Sequence, residues 1–400
     1  MLFDFSLKSS LLLIFFFHGL VFTLLLWIKG LRENNRACQW LGTFTGLCTL
    51  YITPFMLGYA GWYAGGIYRE LLFYIPFQQL LLLPPVLFFY IRSLLDQSFV
   101  FRRQHLVHFI PAFVYGLYSL IVFITDQWIM GYAYFYADGK DKDFSPWYQM
   151  AGFISLIAYL IASLRVYKRY KLLSYDALSF ADTVLFKWAK HFLLALMVLA
   201  GLRLLFFIIN PEWAAFGKKF WYYLSFSALY YYISISGYIN TIRSVTSFSI
   251  FSLPDPLPVQ VITEEPATEY IAIGNDKEAI EDITEWKEKI MQLMQRERLY
   301  ENPALTIADL ADRLHTHSKK ISQVINQGFE MNFNDFINTY RVEEVIRKIE
   351  AGEANSQTLM GIAYDAGFNS KSTFNRAFKR VKAITPKEFL EKTTKTGFKS

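Results

Sequence analysis

Residues Ala363–Arg380 read AYDAGFNSKSTFNRAFKR. Upstream of them Thr358 can open a short helix with Leu359, Ile362 and Ala363 turned inward. Gly367 then supplies a tight turn, and Asn369 or Ser370 can cap a second helix in which Phe374 and Phe378 share one face. Between Ser370 and Lys382 lie Lys371, Arg376, Lys379, Arg380 and Lys382, with no acidic residue. Two short helices joined by a tight turn form a helix-turn-helix. A helix with an apolar back and a wholly basic front suits the phosphate-lined major groove; a solvated basic face on an ordinary bundle is the plainer alternative.

Working outward, the pattern occurs twice. Thr306–Asp309 forms a capping box that opens a helix with Leu310, Ala311 and Leu314 on one side. A polar turn, His315–His317, follows. Ser318 can cap the next helix, whose apolar side is Ile321, Val324 and Ile325. A shift of 52 residues places Thr306 on Thr358, Ala311 on Ala363, Ser318 on Ser370 and Lys319 on Lys371. One extra residue in the second copy then brings Ile321 onto Phe374 and Ile325 onto Phe378. A longer helix, about Phe333 to Glu350, joins the copies and spans about 27 Å; its buried stripe is Phe333, Phe336, Ile337, Tyr340, Ile346 and Ile349, and Gly352 ends it. Thr385–Glu388 is a further capping box with Pro386 at the first helical position, and Phe389 can seal the core.

These residues resemble the DNA-binding domain of the AraC/XylS family of bacterial transcription regulators, over roughly Trp286 to Leu390. AYDAGFNSKSTFNRAFKR, ITPKEF, NFNDFINTYRVEEV and LTIADLADRL carry the resemblance. It implies two recognition helices entering successive major grooves on one face of double-stranded DNA. Carried onto this chain, the second unit reads bases through Lys371, Ser372, Thr373 and Arg376, with Asn375 and Lys379 nearer the backbone; Ser370, the candidate cap, is counted with these DNA-binding residues. The first unit uses Ser318, Lys319, Lys320, Ser322 and Gln323. Arg376 is the strongest candidate, because guanidinium pairs bidentately with guanine; a phosphate contact is its alternative. The first unit departs from the family pattern. His315 stands for the usual turn glycine, and Ile325–Gln327 replaces an aromatic-plus-basic ending. The family also implies recruitment of RNA polymerase, and a homodimer is compatible with it.

The N-terminal half has another character. The 400 residues are 54% hydrophobic and 18% aromatic, and nearly all long apolar runs precede residue 240. A hydrocarbon core needs about 20 apolar residues per helix. Seven stretches qualify: Ser10–Ile28, Cys38–Tyr59, Leu71–Ile91, His105–Thr125, Trp147–Val166, Phe186–Ile209 and Phe220–Ile239. Pro84 and Pro85 should kink the third. The expected architecture is therefore all-α: a seven-helix membrane bundle (1–245), an acidic linker (246–285) and an AraC-type domain (286–400). This half resembles sensor modules joined to such domains in some Bacteroidetes proteins. The first stretch lacks a small-residue cleavage site before Lys29 and is read as a span.

Lysine and arginine concentrate in alternate loops: Lys29, Arg32 and Arg36; Arg92, Arg102 and Arg103; Arg165, Lys168, Arg169 and Lys171. Those loops belong inside, which puts the N-terminus outside and the C-terminal half in the cytoplasm of a bacterial inner membrane. Membrane lipid is thus a partner, and a small-molecule signal at the spans or the outer face is a candidate one. From Phe251 to Glu285 nine acids face Lys277 alone, so that segment is a spacer repelled by anionic lipid and by DNA.

Several polar groups admit two readings. Arg203, in the sixth span, either binds a ligand or partner helix or snorkels to the outer interface; snorkelling is preferred. Trp128, Tyr132, Tyr134, Tyr136, Trp147 and Tyr148 either line a pocket or form an interfacial belt; the belt is preferred. His18, His108, His191, Gln78 and Gln79 are expected to bond between helices or at the interface. Gly42/Gly46 and Gly61/Gly65 match a helix-packing spacing. Cys38 and Cys48 suit apolar filling better than a disulfide or a metal. No cofactor is called for. No nucleotide loop, phospho-acceptor domain or catalytic triad is legible, so an enzyme is not expected. A transporter with an appended domain needs a carboxylate at the centre of a span, and none is present.

Overall fold

The computed structural model describes residues 3–96, 99–181, 186–209, 219–242 and 283–397. Among them helix is the regular secondary structure present, and the only extended pairing is an isolated antiparallel bridge between Leu178 and Thr306. Most of the acidic spacer and part of the sixth loop lie outside the described residues. The chain divides into two compact units, Met1–Lys168 with Lys187–Leu253, and Arg169–Phe186 with Pro254–Ser400.

In the first unit the helices are α1 (Leu7–Arg32), α2 (Arg36–Tyr59), α3 (Gly66–Tyr74), α4 (Leu83–Leu95), α5 (Ile110–Ile124), α6 (Pro146–Ala177), α7 (Phe186–Ile209) and α8 (Phe220–Ile242). The last turns of α6 and the first residue of α7 fall to the second unit. Ser6 and Asn35 cap α1 and α2 through their side chains. The two helices approach closely, because a Cβ on Gly42 would stand 2.7 Å from the Trp27 ring and one on Gly46 3.2 Å from Thr23. Gly42 and Gly46 therefore behave as the packing pair the spacing suggests. Gly61 and Gly65 do not: nothing lies near them, and Gly61 turns the chain at φ +92°.

Among the described residues five helical segments are long and apolar enough to cross a membrane: Leu7–Arg32, Arg36–Tyr59, Arg103–Met130, Pro146–Ala177 and Trp188–Phe206. Helix α8 is long enough, but tyrosine and serine dilute its apolar character. The third expected stretch is not one kinked helix. Helix α3 stops at Tyr74, and Ile75, preceding Pro76, is extended at φ −88°, ψ 117°. Pro84 and Pro85 then occupy the first turn of α4, where a missing N–H costs nothing.

The non-helical backbone of Ile75–Leu82 is satisfied partly by its own turns and partly by distant side chains. Asp143 accepts from the Gln78 N–H at 2.9 Å, the Tyr148 hydroxyl accepts from the Leu80 N–H at 3.1 Å, and it donates to the Gln78 carbonyl at 2.5 Å. Gln78, fully buried, also bonds Tyr223 and accepts from Gln149. Arg203 joins this cluster. It is buried, and its Nη2 donates at 3.0 Å to both the carbonyl and the side-chain oxygen of Gln149. The snorkelling reading is thereby corrected: an unspent guanidinium is too costly to bury, and α6 supplies its acceptors within the bundle. Burial lifts the Asp143 carboxyl to about 6, although the Tyr115 hydroxyl donates to it.

The aromatic group divides. Trp128, Tyr132, Tyr134 and Trp147 are exposed, as a belt requires, whereas Tyr136 and Tyr148 are buried. His18 bonds Ser234 at 2.7 Å and His108 bonds Tyr159 at 2.7 Å, both between helices. Cys38 and Cys48 are free thiols buried in α2.

The second unit holds α9 (Ile283–Glu297), α10 (Ile307–Arg313), α11 (Ser318–Gly328), α12 (Phe333–Glu350), α13 (Leu359–Asp365), α14 (Lys371–Lys382) and α15 (Pro386–Gly397). Helices α9, α10 and α11 pack together around Ile290, Leu293, Leu310, Ile321, Val324 and Ile325. A second cluster, with Val345, Ile349, Ile362, Phe368, Phe374 and Phe378 at its centre and Phe389 against it, holds α13, α14 and the end of α12.

Candidate nucleic-acid interface

The two helix pairs, α10–α11 and α13–α14, are built alike down to the backbone. Thr306 caps α10 in a reciprocal box with Asp309, and the Thr358 hydroxyl accepts from the Gly361 N–H at 3.1 Å. Each first helix ends in the same pair of bonds. Thr316 N–H donates to Ala311 and Phe368 N–H to Ala363, while His315 donates to Asp312 and Gly367 to Tyr364. Together they form a Schellman ending, which needs a left-handed residue after the cap. His315 at φ +50° and Gly367 at φ +93° supply it at equivalent positions. Substituting histidine for the turn glycine therefore preserves the turn and carries the strain of a side chain there.

Beyond the turn the register changes. The α14 cap is Ser370, whose hydroxyl accepts from the Thr373 N–H at 3.1 Å. The α11 cap is His317, which makes no side-chain capping bond. Ser318 is thus the first residue of α11 rather than its cap. The reason is the length of the turn: the second copy's extra residue, Asn369, lies before the cap. Structural equivalence beyond it pairs His317 with Ser370, Ser318 with Lys371, Ser322 with Asn375 and Gln323 with Arg376, in place of the pairings Ser318–Ser370 and Lys319–Lys371.

On α14, Lys371, Ser372, Asn375, Arg376, Lys379 and Arg380 are exposed, and Phe374, Ala377 and Phe378 are buried. The helix thus presents one polar, basic face. Thr373 is not on it; it is buried and spent in the Ser370 cap, its Oγ1 2.8 Å from the Ser370 hydroxyl. Arg380 pairs with Asp335 of α12, so its charge is partly engaged within the domain. On α11, Lys319 is exposed, while Ser318, Lys320, Ser322 and Gln323 are half-buried. Lys320 lies 4.1 Å from the Trp286 ring centroid, and Ser322 accepts from the Asn326 amide. The first unit's face is therefore less basic and more enclosed than the second's. Asn326, at the position equivalent to Lys379, is exposed on this face and was missed by sequence reasoning; the 53-residue offset from the cap onward would have found it.

Helix α12 carries a polar row that the apolar-stripe reading passed over: Asn334, Asn338, Arg341 and Glu344, all buried. Arg341 donates to the carbonyls of Tyr300 at 2.8 Å and Asn302 at 2.8 Å, and burial pushes its guanidinium down to about 10. Glu344 binds Arg347 and Arg298, which hold its carboxyl below the usual range. These contacts tie the segment between α9 and α10 to α12. The spacing i, i+4, i+7, i+10 was the available signal.

Among the described residues no group of three or more His, Cys, Asp or Glu is placed to hold a metal ion. A family model for a helix-turn-helix domain matches residues 310–392, from within α10 to beyond α14. The C-terminal region is accordingly a helix-turn-helix domain of the DNA-binding, regulatory kind. No curated protein and no solved structure matches the chain.

Proposed function

We propose that the protein is a membrane-bound, one-component transcription regulator that binds double-stranded DNA sequence-specifically through two helix-turn-helix units. The observation that carries this reading is the duplicated helix pair, with Lys371, Ser372, Asn375, Arg376 and Lys379 on the open face of α14. The second unit contributes most of the charge. The first reads through Gln323 and Ser322, with Ser318, Lys319 and Lys320 near the phosphates. Ser370 and Thr373 fix the start of α14 and do not reach bases.

The apolar helices supply the anchor. Reading α3–α4 as one interrupted crossing and α8 as another gives seven spans, and the loop charges put the helix-turn-helix domain inside. The reading divides the chain at 1–245, 246–285 and 286–400, with a signal acting on the first part. Recruitment of RNA polymerase follows from the family resemblance, and pairing of two chains is compatible with it.

The test is DNase footprinting with the full chain in lipid nanodiscs on the DNA upstream of its own and neighbouring genes. A protected site that weakens steeply with salt is expected. Protection that is absent, or uniform over all sequences, refutes the reading.

A further inference from the structure

The segment that follows α6 sits inside the second unit. Ala177, Leu178 and Ser179 are buried to 2%, 1% and 0% exposure. Leu178 bridges Thr306 in antiparallel fashion, and the Ser179 N–H donates to the Leu305 carbonyl at 3.1 Å. Leu305 and Thr306 immediately precede α10, so the pairing lies at the mouth of the first helix-turn-helix.

Helix α12 grips the same segment. Asn334 Nδ2 donates to the carbonyls of Leu178 at 3.2 Å and Ser179 at 3.0 Å. Arg341 donates through Nη1 to the Ser179 carbonyl at 3.2 Å and through Nη2 to its hydroxyl at 3.0 Å. The Asn338 amide donates to the Asn334 oxygen at 3.0 Å and its own oxygen accepts from Arg341 at 3.3 Å. The row is thereby oriented, with the Asn334 amide and part of the Arg341 guanidinium aimed at the segment. A buried asparagine and a buried arginine tolerate few empty donors, so this face of α12 is built for an occupant rich in carbonyls.

We propose that Leu178–Ser179 is an intramolecular strap, the regulatory contact by which the chain leaving α6 acts on the first helix-turn-helix unit. The strap is continuous with α6, an uninterrupted helix of 32 residues. Its release frees the Leu305 carbonyl and leaves Asn334 and Arg341 with unmet donors. Both events loosen the start of α10 and the seat of α12, while α13 and α14 keep a separate core. The strap itself follows from geometry alone; its regulatory role rests on the DNA-binding reading.

Amide hydrogen exchange on the full chain in nanodiscs tests the strap, with Ser179→Pro, which removes the donated N–H, and Ser179→Gly, which keeps it. In the wild-type chain the 178–179 amides should exchange at least tenfold more slowly than an unstructured peptide. In S179P, exchange across 305–314 should rise at least fivefold with 371–382 unchanged, and S179G, which keeps the N–H and loses only the hydroxyl that accepts from Arg341, should raise it less than S179P does. Affinity for a duplex enriched by the wild-type chain from a random pool should differ at least fivefold between S179P and S179G. Unprotected 178–179 amides overturn the strap, and unchanged exchange across 305–314 in S179P overturns the coupling. Equal affinities overturn its regulatory role. Failure to enrich any duplex, with exchange as expected, refutes the DNA-binding reading and the regulation resting on it while the strap itself stands.

Discussion

Gly367 and His315 show how much one backbone angle constrains a residue. At Gly367 an added Cβ would run into the Tyr300 carbonyl and stand 2.8 Å from the Glu301 carbonyl, at a φ that side chains avoid. Gly367→Ala should therefore destabilise the domain by at least about 1–3 kcal/mol, read as a lower melting temperature or faster exchange across α13 and α14. His315→Gly should act in the opposite sense, stabilising by up to about 1 kcal/mol, because it relieves a left-handed side chain. Glycine's greater freedom in the unfolded chain trims that gain. Arg376 is tested by function. Arg376→Ala should cost about 1–3 kcal/mol in specific binding and relax preference at one base, whereas Lys379→Ala should weaken all sequences alike and lower the salt slope by about one. A binding-site selection with each variant distinguishes the two outcomes.

At the scale of elements, chain punctuation was the most readable feature. Capping boxes at Thr306–Asp309 and Thr385–Glu388, and glycines at Gly352 and Gly367, mark boundaries through bonds made within a few residues, so local sequence carries them. Helix α12 runs over Phe333–Glu350 as its periodicity indicates. Elements whose form depends on distant partners were less readable. The break at Ile75–Leu82 survives because Asp143 and Tyr148, far along the chain, meet its amides. Arg203 turns inward because Gln149 waits there. Nothing adjacent to Asn334 or Arg341 reveals Ser179 as their acceptor.

The α12 row also sets a pH response. Arg347 and Arg298 hold the Glu344 carboxyl below its ordinary value of 4.5 in the folded domain. The carboxylate's contribution is then complete above that value and is lost as pH falls through it toward the folded one. Thermal melting of the helix-turn-helix domain should show a drop on acidification through that range, and Glu344→Ala should flatten it. The same variant at neutral pH should lose about 1.5–3 kcal/mol, the worth of hydrogen bonds to a charged group.

In the proposed reading the whole molecule joins two solvents on one chain. Its apolar helices were visible from composition, because the long hydrophobic runs concentrate before residue 240. The second unit's claim on Arg169–Phe186 was not, because that segment reads as an ordinary basic loop. The change of register between the two helix pairs has a consequence for DNA. Gln323 and Arg376 hold equivalent places on their helices, and these side chains favour different partners, adenine for glutamine and guanine for arginine. A single chain engaging both units would therefore recognise two unlike words in a set order. Such a sequence is not its own mirror: it has a beginning and an end, like an arrow painted on the duplex. Inverting it in front of a promoter would turn the protein around on the DNA, so the response of a gene should depend on which way the arrow points.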